Sequence, residues 1–477
     1  MLTLLPLLPL CGAAIAVALP SDRLRPWLLP LCGVAHLTLT FLLIQAGPIS
    51  AAGGWLALDA LGRLVLLVVS ILFCGCSFYA LGYLRYRLAW GNRIFVSCLL
   101  LFLSSMSLAV MARHLGILWV AVETTTVASA PLIYYNRNRL SIEATWKYLL
   151  LGSVGIALAM LGLLFVAYAA LPGGGHASLF LDDILANAAN HSRPWLRAGF
   201  VFLLVGFGTK VGFAPLHAWK PDAYGEAPGL VGALLAGGLT SVAFLALLRT
   251  LQIMNAAGDG ALAREAFLAL GLFSLGLAAV FVIRQPDFKR MLAYSSVEHM
   301  GILAIAISVG GIATFGAMLH LMNNALTKGA LFLSAGNIHR RFASKRVGEV
   351  RGAITLVPFS ASLFLLGFLA ITGSPPFAPF VSEFTILRGI FANGQYLTGG
   401  LFLFFLAVIF IGMGSTVLSV IFGPVPERQG DRDYRETFAT TGTPLVLLLI
   451  MLFLGVHLPE PARLLFSEAA ALLEVAP

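Results

Sequence analysis

Glu123, Lys210, Glu298, His299, His320, Lys328 and Glu383 are ionisable residues set inside stretches built almost wholly of Leu, Ala, Gly, Val, Ile and Phe. A charged side chain at the centre of a membrane helix costs roughly 2.5–3.5 kcal/mol on insertion scales. Such groups persist where they pair or reach water, and the chemistry open to them there is holding and passing a proton. A lysine beside a carboxylate keeps its proton, whereas a desolvated lysine standing alone gives it up more readily. Moving Glu123 relative to Lys210 would therefore switch Lys210 between holding and releasing. Arg388 lies nearer the end of its stretch than these residues.

The segment "HLMNNALTK" carries His320, Asn324 and Lys328 at i, i+4 and i+8. At about 100° per residue the three drift by only about 80° around a helix, so they form one polar stripe. Such a stripe suits a hydrated proton path. A single Asn or His is as well explained by hydrogen bonding between helices. Two lysines and two glutamates at mid-depth, each with polar neighbours, are better explained by translocation.

The elements that position these groups follow from composition. Of 477 residues, 59% are hydrophobic and 11% charged, with a mean hydropathy of +0.93. A soluble domain carries about a quarter charged residues. Apolar runs fall at 3–20, 27–46, 61–84, 93–111, 114–135, 146–171, 195–213, 228–249, 266–283, 291–310, 312–337, 354–391, 398–423 and 442–458. All but the twelfth are near the roughly 20 residues that cross a bilayer, the run at 354–391 being long enough to be interrupted, and none alternates as a barrel strand would. The expected fold is an all-α polytopic membrane protein with about fourteen transmembrane helices. Glu123 lies about nine residues, or roughly 13 Å, into the fifth span, and Lys210 about fifteen residues, or roughly 22 Å, into the seventh. Those depths allow a Glu–Lys pair if the two spans are neighbours.

Net charge is +9, but the cations are placed as a topology signal and not as a nucleic-acid surface. Loops after odd-numbered spans hold most of them, among them Arg23, Arg25, Arg85, Arg87, Arg139, Lys220, Lys289, Arg290, Lys345, Arg346, Arg428 and Arg432. Loops after even spans hold mainly Arg193, Arg197 and Arg264, with Arg113 and Arg249 at span ends. The asymmetry predicts odd loops in the cytoplasm and both termini outside. Met1–Leu19 has no basic segment before its apolar run, so it is expected to remain as the first span. Cys11, Cys32, Cys74, Cys76 and Cys98 all fall in apolar runs and are expected to be buried thiols, since Cys74-Gly75-Cys76 lacks the partners a cluster requires. The 171–194 loop, with its Gly and Pro, is expected to be a surface excursion.

Two segments break the helical background: "TKVGFAPLHAWKPDAYGEAP" (209–228) and "TGSPPFAPFVSEF" (372–384). Gly and Pro inside an apolar span free backbone groups that neighbours or water must satisfy. The breaks fall in spans seven and twelve, five apart, an offset that gives two inverted five-helix repeats with discontinuous helices. The division is then 1–92 for the first three helices, 93–250 and 264–424 for the repeats, and 441–477 for the last helix and tail.

With "DFKRMLAYSSVEHMG" and "GSPPFAPFVSEF", the first of these breaks resembles the antiporter-like proton-translocating family. That family comprises the large membrane subunits of respiratory complex I, of group 4 membrane-bound hydrogenases and of multi-subunit cation/proton antiporters. "LWVAVETTTVASAPLIYY" and "EATWKYLLLGSVGIAL" resemble its hydrogenase-4 component F branch. The resemblance implies that Glu123 is the family's carboxylate, Lys210 its paired lysine, Lys328 the lysine of the following half, Glu383 the terminal site and His320 a conducting histidine. Ser241 stands where complex I members usually have a lysine, and Asn324 where many have histidine. A central relay would then use water, Thr240, Ser241 or His217. The chain also stops after its last span, without the long lateral helix of the largest complex I subunit.

No glycine-rich dinucleotide loop, phosphate loop, Cys/His metal pattern or nucleophile elbow is present. The resemblance implies a non-catalytic, proton-translocating subunit of a hydrogenase-type complex in a bacterial or archaeal cytoplasmic membrane. Its partners would be other membrane subunits and a peripheral redox arm, which would hold the iron–sulfur and nickel–iron centres; this chain would hold none. A subunit of complex I or of a cation/proton antiporter, and a non-conducting scaffold, are the competing functions.

Overall fold

Helix boundaries in the computed structural model, which describes residues 1–86, 90–425, 430–431 and 433–474, follow local capping chemistry as much as hydropathy. Arg87, Arg428 and Arg432 lie outside the described residues. The helices run in the order α1 (Leu4–Ala18), α2 (Leu28–Gln45), α3 (Ala60–Arg85), α4 (Arg93–Met111), α5 (Leu115–Ile133), α6 (Arg139–Tyr168) and α7 (Leu181–Asn187). They continue as α8 (Arg193–Val211), α9 (Trp219–Glu226), α10 (Gly229–Ala233), a π-helical turn (Leu234–Leu239), α11 (Thr240–Ala256), α12 (Gly260–Val282), α13 (Phe288–Val309) and α14 (Ile312–Phe342). The last are α15 (Ala353–Leu356), α16 (Pro358–Ile371), α17 (Ala378–Ala392), α18 (Tyr396–Phe422), α19 (Phe438–Val456) and α20 (Glu460–Ala471).

The apolar run at 146–171 understates its helix, because Asn138 and Ser141 form a capping box that starts α6 at Arg139. Asp59 caps α3 by accepting from Gly62 N at 2.9 Å, and Asp287 caps α13 through Lys289 N and Arg290 N. Both expected interruptions are present. α8 ends at Gly212 (φ +78°) and the chain resumes as α9, while α16 gives way to α17 past Gly373 (φ +67°).

The buried-thiol expectation for Cys11 needs correction, and three features add to the expected fold. The helical fold carries one small hairpin, in which β1 (Ile49–Ala51) and β2 (Leu56–Leu58) pair antiparallel, with Ile49 opposite Leu58. Their period of two buries Leu56 and Leu58 together, so a few residues suffice. Cys11 is exposed on the side of α1. The 171–194 loop contains the short helix α7, and the last span is followed by the amphipathic α20. That helix buries Leu465, Phe466, Ala469 and Ala470 and ties Glu468 to Arg63 at 2.8 Å.

Among the described residues, ten helices are long and apolar enough to cross a membrane, and α1 and α16 are shorter apolar helices. Leu31, Trp146, Val154, Val280 and Ile411 are exposed on the outer flanks, while residues 229–254 are buried throughout. An apolar belt around a buried polar centre is the arrangement lipid selects. The chain is a multi-pass membrane protein.

Helix ends collect into two opposite sets. At one, Arg249 and Arg113 meet Asp59, Arg197 meets Asp259 at 2.8 Å, and Thr314 donates to Glu474 at 2.7 Å. At the other, Lys147 meets Asp222 at 2.8 Å, Lys345 meets Glu226 and Asp287, and Asn136 donates to Glu226 O at 2.7 Å.

Candidate functional site

Close approach of α6 and α8 sets the first group. A Cβ added at Gly206 would lie 2.6 Å from Gly155 O, and one at Gly199 would lie 3.0 Å from Gly162 O, so the two backbones touch. One turn beyond Gly206, Lys210 is 1% exposed. Its Nζ donates to Thr126 Oγ1 on α5 and to Tyr148 OH on α6 at 3.0 Å. Thr126 Oγ1 in turn donates to Glu123 Oε2 at 3.1 Å. The expected Glu123–Lys210 pair is thus joined through a hydroxyl and not by a direct ion pair. Tyr148 continues to Ser129 at 2.7 Å. Glu123 is half-buried and its other oxygen faces the exposed Ser153 at 3.5 Å.

The second group lies between α13, α14 and α17. Lys328 Nζ donates to Leu292 O at 3.3 Å, and Ser295 Oγ donates to Glu298 Oε2 at 3.0 Å. Glu298 Oε2 is 3.9 Å from His299 Nε2. His299 Nδ1 meets His320 Nε2 at 3.0 Å, and His320 Nδ1 meets Ser382 Oγ at 3.0 Å. Glu383 is buried beside Gly373, where an added Cβ would lie 2.2 Å from Glu383 Oε2. Ligand atoms of His299, His320 and Glu383 all lie within 4.8 Å of one another, close enough to hold a cation. The two imidazoles already bond each other, which suits passage of a proton between them.

Other expected residues are not joined to these groups. Ser241 is buried, but its hydroxyl donates to Gly237 O in its own helix at 2.6 Å, and Thr240 likewise donates to Ala236 O. His217 is only partly buried, its ring 6.0 Å from that of Tyr294. Asn324 is buried in the α14 stripe, but it is Asn323 that binds Ala378 O and Ser382 Oγ. Arg388 is exposed.

Lys220 and Lys289 were counted above as loop charges, and both are fully buried. Lys289 holds the end of α9 by donating to Gly225 O and Ala227 O at 3.0 and 2.6 Å. Lys220 reaches Ser296 Oγ on α13 at 3.2 Å. Thr126, Tyr148, Lys220 and Ser296 were missed. The available signals were Thr126 one turn from Glu123, and Lys220 within the same broken segment as Lys210.

A cavity of about 900 Å³ opens at the end of the protein that carries Lys147, and its lining includes Asp222, Glu226, Asp287, Arg290 and Lys345. At the opposite end, burial of Asp59 favours its neutral form. The charge and hydrogen bonds of Arg249, the Gly62 N–H and the charge of Arg113 outweigh this and hold the carboxyl below the usual range.

Two interrupted helices around interior lysines, carboxylates and imidazoles define a polytopic membrane protein with a charged interior. Residues 112–414 match the family described as NADH:quinone oxidoreductase/Mrp antiporter, TM, and the chain belongs to that family. It is 31% identical over 480 residues to the hydrogenase-4 component F homolog of Methylacidiphilum infernorum (isolate V4), covering 98% of both chains. In fold it is similar to a chain of the membrane-bound sulfane sulfur reductase, an archaeal respiratory membrane complex. The TM-score is 0.89 at 21% identity, over 99% of this chain and 97% of that one. A chain of respiratory complex I from Thermus thermophilus gives a TM-score of 0.83 at 23% identity, over 99% and 100%.

Proposed function

We propose that this chain is a proton-translocating, non-catalytic membrane subunit of a redox-driven complex of the hydrogenase-4 type. The observation that carries the proposal is the polar row in each half, buried except for the half-buried Glu123. One row is Glu123, Thr126, Lys210 and Tyr148; the other is Lys328, Glu298, His299, His320 and Glu383. Grouping ionisable side chains this way in an apolar interior is costly, and proton transfer is the use that their types share. Likeness along nearly the whole chain to a hydrogenase-4 component supports that complex over the NADH:quinone and antiporter alternatives. Iron–sulfur and nickel–iron chemistry is assigned to partner subunits.

The spans proposed are α1 to α6, α8 with α9, α10 with α11, α12, α13, α14, α16 with α17, α18 and α19, fourteen in all. The two five-helix halves, 93–250 and 264–424, are read as inverted repeats. Each carries a glutamate on its second helix, Glu123 or Glu298, and a break at a positive-φ glycine in its fourth, Gly212 or Gly373. The cation-rich end with the 900 Å³ cavity is assigned to the cytoplasm, both termini to the outside, and the cavity to proton access.

Lys210→Met tests the proposal, because it removes the proton carrier while roughly keeping its length. Proton uptake by inverted vesicles containing the intact complex, driven by its electron donor and normalised to subunit content, is expected to fall strongly with assembly retained. Normal uptake by the assembled variant would support a scaffold instead.

A further inference from the structure

We infer that Lys220 is a third proton site, which joins the Lys210 group to the Lys328 group across the middle of the chain. The inference rests on the translocation function proposed above. Lys220 begins on α9, and its side chain lies across Gly212, two residues past Lys210. A Cβ at Gly212 would stand 2.3 Å from Lys220 Cε, so a side chain there would displace the lysine. The far end of Lys220 meets Ser296 Oγ at 3.2 Å. Ser296 is one turn of α13 from Leu292, whose carbonyl receives Lys328 at 3.3 Å. Lys220 and Lys328 therefore address the same face of α13 about 6 Å apart along its axis. Lys220 thus bears at one end on Gly212, in the segment that carries Lys210, and at the other on the face of α13 that Lys328 addresses.

The surroundings of Lys220 are those of a proton carrier more than of a structural tie. A lysine offers three donors. Among the described residues, Lys220 Nζ has one hydroxyl as its acceptor, and no carboxylate lies within 4 Å. The rings of Tyr224 and Trp219 lie 5.8 and 5.9 Å away. Lys289, equally buried, shows the contrast, with its nitrogen committed to two backbone carbonyls at the end of α9. Pro221 and Asp222, which directly follow Lys220, line the 900 Å³ cavity, so the site also lies one residue from the proposed source of protons. Ser241 is turned back onto its own helix and offers no titratable group in the same region.

The step is a transfer in which Lys220 accepts a proton on Nζ from one neighbour and releases it from Nζ to the next, with no other bond changed. It is tested by proton uptake in vesicles holding the intact complex, normalised to subunit content, for Lys220→Met, Lys220→Arg and Lys210→Met. All three are expected to lose uptake. The arginine variant is diagnostic because a guanidinium keeps the positive charge yet does not release its proton. Normal uptake in assembled Lys220→Met, with Lys210→Met defective, overturns the Lys220 site and leaves the proposed function standing. Normal uptake in Lys220→Arg also overturns it, since the charge alone then suffices. Failure of both Lys220 variants to assemble assigns the residue to holding the broken helix, again against the inference. Normal uptake in both Lys210→Met and Lys220→Met overturns the translocation function itself.

Discussion

The Glu123 carboxylate and the Lys210 nitrogen share the hydroxyl of Thr126, which donates to the first at 3.1 Å and accepts from the second. A carboxylate and a lysine in direct contact would hold each other in place. With a hydroxyl between them, a small movement of α5 against α8 changes how strongly the charges interact without first breaking an ion pair.

Thr126→Val removes that hydroxyl at nearly constant shape. Losing its two hydrogen bonds, to Glu123 and from Lys210, at about 0.5–1.5 kcal/mol each, corresponds to a fall in rate of about tenfold. Proton uptake per assembled subunit is expected to drop on this scale, and Thr126→Ser is expected to restore it. Undiminished uptake in the valine variant would show that the bridge has no part in transfer.

Gly373→Ala places a Cβ where φ is +67° and where Glu383 Oε2 would be only 2.2 Å away. Backbone strain of this kind costs on the order of 1–3 kcal/mol. The melting midpoint of the detergent-solubilised complex is expected to fall. Combining the change with Glu383→Ala should relieve the clash but not the strain, so the double variant is expected to be less damaged than the two losses added together. Strict additivity would mean that Glu383 does not pack on this glycine.

Asp59 gives the stability a sign with pH. Its folded-state proton affinity is depressed by Arg249 and Arg113 despite burial. Its contribution is therefore fully present above the unfolded value of about 3.9 and is lost as pH falls below it. The folded state is expected to lose thermal stability on acidification below about pH 4 in the native chain and less so in Asp59→Asn. At pH 7 the Asn variant should already be weaker by about 2 kcal/mol, the scale of hydrogen bonds to a charged group. An unchanged acid limb in Asp59→Asn would remove this carboxylate from the pH dependence.

Most helices could be read from residue order, because crossing lipid demands a long apolar run and each run is a local property. The breaks at 209–228 and 372–384 were equally local, since Gly and Pro disturb a helix whatever surrounds it. Glu123, Lys210, Lys328 and Glu383 stood out for the same reason: an ionisable residue in an apolar run is costly wherever the run packs. What joins them was decided elsewhere. Thr126 lies between Glu123 and Lys210 because Gly152 of α6 packs on Thr126 while glycines at 155, 162, 199 and 206 let α6 and α8 touch, and hydropathy carries no record of which helices touch. His299 meets His320 across 21 positions because α13 and α14 pack antiparallel. Lys220 was counted as a loop cation because a lysine following a break looks solvated in one dimension. Folding of α9 back between α6 and α13 encloses it, and burial is a property of what surrounds a residue in space, not of its neighbours in the chain.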